Sequence, residues 1–92
     1  MASRECVIRN RLGLHARAAA KFVHTATAFT SQIRVSRGGK TMDGKSIMGI
    51  LLLAAARGVT ITISADGTDE RDAVDALVAL VQSGFGEDVC SA

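Results

Sequence analysis

Ninety-two residues suit one domain around a single modest core, and a formal net charge of +2 with three Phe and no Trp or Tyr is too little cationic and aromatic character to mark a nucleic-acid binder. Two cysteines, Cys6 and Cys90, are too few and too unevenly placed for a disulfide scaffold. The longest apolar stretch, residues 47–56, falls far short of a membrane span, and the first five residues carry no apolar targeting run, so a soluble, reducing, cytoplasmic setting is expected.

Residues 4–9 alternate and read as a strand, with Cys6 and Ile8 facing one way as small core residues. A loop follows over 10–14, then a helix over about 16–28, whose buried stripe is Ala19, Phe22, Val23, Ala26 and Phe29. Residues 32–37 alternate again with Ile33 and Val35 inward. Gly38-Gly39 signals a hairpin, and 40–42 make the returning strand. Gly44-Lys45-Ser46 opens a second helix over roughly 47–54, with Ser46 as its N-cap and Gly58 as the stop. That helix is apolar all round, so Ile47, Met48 and Leu51 are expected to stay exposed and open to a partner.

Residues 59–65 place Val59, Ile61, Ile63 and Ala65 on one face and Thr60, Thr62 and Ser64 on a wet one. Asp66-Gly67 turns the chain, and Thr68-Asp69-Glu70 starts a last helix with acids in its first turn. Its buried stripe is Ala73, Val74, Leu77, Leu80 and Val81, and it ends near Gln82. Residues 86–92 are expected to fray. The order is βαββαβα. The patterning predicts an α+β open-faced β-sandwich, a four-stranded antiparallel sheet with three helices on one face, spanning 1–92 as one domain.

The chemistry centres on Gly13-Leu14-His15-Ala16-Arg17-Ala18-Ala19-Ala20. A histidine stands at the mouth of an alanine-rich helix, with an arginine two residues on. The first N–H groups of a helix lack internal partners and sit at its positive end. An anion there meets those donors, from Ala16, Arg17 and Ala18, together with the Arg17 guanidinium. The imidazole is itself able to attack a phosphoryl group. Neither His24 nor the cysteines have metal-ligand spacing, so no metal and no cofactor is expected.

Gly13-Leu14-His15-Ala16-Arg17, followed about thirty residues later by Gly44-Lys45-Ser46-Ile47-Met48-Gly49, closely resembles the HPr family. These are histidine-containing phosphocarriers of the bacterial phosphoenolpyruvate-dependent phosphotransferase system. Asp66-Gly67-Thr68-Asp69-Glu70 is also similar to the family, and Ser83-Gly84-Phe85-Gly86-Glu87 to its nitrogen-related and proteobacterial branches. The resemblance runs from about residue 4 to 86. It implies that His15 accepts a phosphoryl group on Nδ1 from enzyme I and passes it to an enzyme IIA, with Arg17 attending the group. It further implies docking through Ala20, Ile47, Met48 and Leu51, a monomer, and no turnover of its own. Ser46 corresponds to the site that a dedicated kinase, the HPr kinase/phosphorylase, modifies in many members.

The chain departs from the family at Ala18, where proline is usual. Alanine frees the unfolded chain, at a cost of roughly 0.4–1 kcal/mol, and restores one N–H in the first turn. The helix is still expected to start there and transfer to survive. Two other readings compete. An RNA-binding sheet would need aromatics on its open face, where Thr and Ser stand instead, so no nucleic-acid partner is expected. A regulatory paralogue would dock without accepting phosphate, against which His15 and Arg17 both argue.

Overall fold

The computed structural model describes residues 1–86. Its elements follow the order β1 Ala2–Val7, α1 Ala16–Thr27, β2 Gln32–Arg37, β3 Lys40–Asp43, α2 Ile47–Leu52, β4 Thr60–Asp66 and α3 Glu70–Gln82, closed by a 3₁₀ turn over Gly84–Gly86. The strands form one antiparallel sheet in the order β1-β4-β2-β3, open-faced with the three helices, as the βαββαβα pattern predicts. Cys6 pairs with Ile61, and Ile63 lies between Arg4 and Val35. Ile33, Val35, Ile61, Ile63 and Ala65 therefore share the helix-facing side, and all are buried. Ala18, Ala19, Phe22 and Ala26 from α1 and Ala73, Val74, Leu77, Val78 and Val81 from α3 complete the core. The three phenylalanines lie in or against that core rather than on the open face.

The ends of the elements moved where long-range contacts intervened. β1 runs from 2 to 7 rather than 4 to 9, because Ala2 and Ser3 pair with Ala65 and Ser64. Beyond it Ile8 still donates to the Val59 carbonyl at 2.9 Å, and Gly58 donates to the Ile8 carbonyl at 2.8 Å. On α3 the stripe includes Val78, while Leu80 is only half-buried.

Helix α2 stops at Leu52, four residues ahead of the stretch leading to Gly58. Ala54 adopts a left-handed φ of 51°, which costs an L-residue about 1–2 kcal/mol. Arg37 holds the turn, its Nη1 donating to the Leu53 and Ala54 carbonyls at 2.9 Å each. Charged donors on otherwise unpaired helix-end carbonyls offset that strain.

Phe85 stands just past the last helix yet is fully buried. Its φ of 59° is strained for a bulky residue, at about 1–3 kcal/mol. Burying the ring returns about 1.5–3 kcal/mol, and Lys21 Nζ donates to the Phe85 carbonyl at 2.6 Å. Of the stretch expected to fray, Gly86 belongs to this turn and 87–92 lie outside the described residues.

Candidate functional site at the start of the first helix

Gly13 has a left-handed φ of 68°, and a Cβ on it would stand 2.6 Å from the Ala55 carbonyl oxygen. Glycine is thus required twice, for conformation and for space. The buried Asn10 seats the loop: its Nδ2 donates to the Gly13 carbonyl at 2.7 Å, and its own carbonyl accepts from Gly13 N at 3.1 Å. Leu14 N donates to the Ala55 carbonyl at 2.9 Å. A segment that closes α2 therefore carries the loop that presents His15. The position of Asn10, three residues before the glycine, is the local signal for this lock; Ala55 has none.

His15 is the N-cap of α1, extended at φ −79°, ψ 179°. Its carbonyl accepts the first helical bond, from Ala19 N at 2.8 Å. Its side chain caps the helix, with Nδ1 accepting from Arg17 N at 3.3 Å. An accepting Nδ1 carries a lone pair, which leaves the proton of the neutral ring on Nε2. The bond is long for N–H to acceptor, so the lone pair is oriented without being tightly held. The ring is half-buried.

Ala16 and Arg17 are exposed, and Ala18 turns its methyl wholly into the core while its N–H belongs to the first turn. The N–H groups of residues 16–18 have no helical carbonyl to meet. Both the predicted donors and the guanidinium therefore gather at the Nδ1 edge of His15. Alanine at position 18 leaves the helix start in place.

Ser46 caps α2 as expected, Oγ accepting from Gly49 N at 3.1 Å. Ile47 and Met48 are exposed, at 44% and 66%, as is Ala20 on α1. Leu51 differs from expectation: it is half-buried against the core, and Leu52 is exposed at 54% instead. Helical phase explains the exchange. The buried side of α2 is Gly49, Ile50 and Leu53, so the outermost row pairs Met48 with Leu52 at i, i+4. Leu12, 65% exposed in the His15 loop, is a further apolar residue that periodicity does not flag.

Among the described residues, no three of His, Cys, Asp and Glu are grouped to hold a metal ion, and no helix is long and apolar enough to cross a membrane. Cys6 is buried, and desolvation pushes its thiol pKa up against the opposing field of Arg4. It is a core residue, not a nucleophile.

A small open-faced α+β domain with a histidine capping its first helix is the architecture of a phosphohistidine carrier. The family model for the PTS HPr component phosphorylation site matches residues 2–83. Phosphocarrier protein HPr of Cupriavidus necator is 52% identical over 87 residues, covering 95% of this chain and 98% of that protein. The HPr-like protein Crh of Halalkalibacterium halodurans is 42% identical, with 89% and 98% covered. The crystal structure of HPr-C-His from Thermoanaerobacter tengcongensis superposes with a TM-score of 0.92 at 48% identity, over 96% of this chain and 99% of that one. The chain belongs to the HPr family of phosphocarrier proteins of the phosphotransferase system.

Proposed function

We propose that this protein takes a phosphoryl group from phospho-enzyme I onto Nδ1 of His15 and passes it to an enzyme IIA. The observation that carries this reading is the side-chain cap, which turns the Nδ1 lone pair toward the first N–H groups of α1. In the transfer, Nδ1 attacks phosphorus, the nitrogen–phosphorus bond of the donor breaks, and Nε2 keeps its proton. The Arg17 N–H then passes from Nδ1 to a phosphoryl oxygen, joined by Ala16 N–H, Ala18 N–H and the Arg17 guanidinium. Dipolar donors and one exposed cation hold the group without trapping it, as a carrier requires. Ala20, Ile47, Met48 and Leu51 form the docking face, extended by Leu52 and Leu12. The protein works as a cytoplasmic monomer without a cofactor of its own.

Incubation with phosphoenolpyruvate and enzyme I tests the reading by mass. An acid-labile gain that His15→Ala lacks is expected; an unchanged mass would select a regulatory paralogue that docks without transfer. Ser46 is the regulatory position. Phosphate there stands at a helix N-terminus beside the docking face, where its charge repels an acidic partner. The wild type incubated with ATP and HPr kinase/phosphorylase should label, and Ser46→Ala should not.

A further inference from the structure

Between α1 and α3 lies a shallow hollow lined by Arg17, Ala20, Lys21, His24, Thr25 and Leu80. The α1 residues recur at spacings of three and four, so they share one helix face. Ala20 and Leu80 supply apolar surface, while Arg17 and Lys21 are exposed cations at the rim. The backbone after α3 is delivered to this place. Lys21 Nζ donates to the Phe85 carbonyl at 2.6 Å, and a Cβ on Gly86 would stand 3.6 Å from the same Nζ.

The next residues are Glu87-Asp88-Val89-Cys90-Ser91-Ala92: two acids, then two apolar side chains. Three residues reach at most about 10 Å, and Arg17 and Thr25 each lie about 6 Å along the helix from Lys21. Either end of the hollow is within reach of a segment starting at Gly86. An ammonium has three donors, so Lys21 is able to meet a carboxylate while it keeps Phe85. We infer that residues 87–92 fold back onto this hollow, with Glu87 and Asp88 against Arg17 and Lys21 and Val89 against Ala20 and Leu80. The same surface adjoins His15, so the segment competes with an acidic partner docking there. That competition, though not the fold-back, rests on the carrier reading.

The full chain and a variant ending at Gly86 decide the matter through two readouts. Amide resonances of Ala20, Lys21 and His24 should shift on truncation, independently of protein concentration, and Glu87→Gln with Asp88→Asn should reproduce most of the change. In transfer from phospho-enzyme I, truncation should lower KM roughly threefold if the segment covers the hollow two-thirds of the time. The kcat should hold, and the gap should close in high salt. Unshifted α1 resonances or an unchanged KM would overturn the inference. Shifts that grow with protein concentration would overturn it too, by making a second copy the occupant. If neither protein loads phosphate, the carrier reading fails, while the resonances still report the fold-back.

Discussion

His15 and Ser46 each cap a helix through a side-chain acceptor, at 3.3 Å from Arg17 N and 3.1 Å from Gly49 N. The two starts differ in what surrounds the cap. At α1 the acceptor is an imidazole nitrogen, nucleophilic as it stands, with the exposed Arg17 in the same turn. At α2 it is a hydroxyl, inert until a kinase acts. Its nearest cation, Lys45, is turned away, donating to the Phe29 carbonyl at 2.7 Å, and Ile47 and Met48 face outward instead. Orphaned helix N–H groups are common to both. The side chain in the cap position decides whether the site loads by itself or waits to be modified.

His15→Asn separates capping from loading most sharply. Asparagine is a good cap, so the melting temperature should move little, while acid-labile phosphate should vanish from the mass spectrum. Should His15→Asn still load, the α1 start is not the acceptor and the contrast with α2 collapses. Arg17→Ala comes next. Losing a charged hydrogen bond worth about 1.5–3 kcal/mol should lower kcat/KM for transfer about 10- to 100-fold without altering thermal stability.

Ser46→Ala should do the reverse. A lost cap costs about 1 kcal/mol, or about 4–8 °C in melting temperature for a domain this size, and transfer from enzyme I should stay within about twofold of wild type. A transfer defect there would mean that the α2 start takes part in loading.

The third helix start sharpens the comparison from outside. Asp69 occupies the N-cap of α3 but makes no cap bond to its own helix. Its carboxylate accepts from the Thr30 and Ser31 amides at 2.9 Å each and from the Ser31 hydroxyl. Glu70 turns back instead to accept from Gly67 N at 3.2 Å. The Ser31 hydroxyl, then the Thr30 amide, pull the Asp69 pKa from its ordinary 3.8 to about 2. A depressed carboxyl stabilises the fold fully above its unfolded pKa and loses that contribution as pH falls toward 2. Melting temperatures between pH 5 and pH 2 should therefore fall less steeply for Asp69→Asn than for wild type. Parallel slopes would show that Asp69 is not the acid-sensitive clamp.

Much of this was legible because it is local. The hairpin at Gly38-Gly39 and the Ser46 cap lie within a few residues of their partners. The cap position of His15 needs only a glycine before it and alanines after it. What misled the sequence reading had distant partners. Arg37 ends α2 from sixteen residues away, Asp69 reaches back 38 and 39 residues to Ser31 and Thr30, and Phe85 is held by Lys21 across 64. The exchange of Leu51 for Leu52 has a related cause, since a helix apolar all round carries no periodicity to say which side is covered.

The order of elements, the inward face of each strand and the histidine at a helix mouth were set by the sequence itself, because alternation, helical spacing and capping act between near neighbours. Which leucine faces out, where α2 stops and what the Asp69 carboxylate accepts were decided only in three dimensions. Those features depend on which distant groups arrive at the same place, and packing alone determines that.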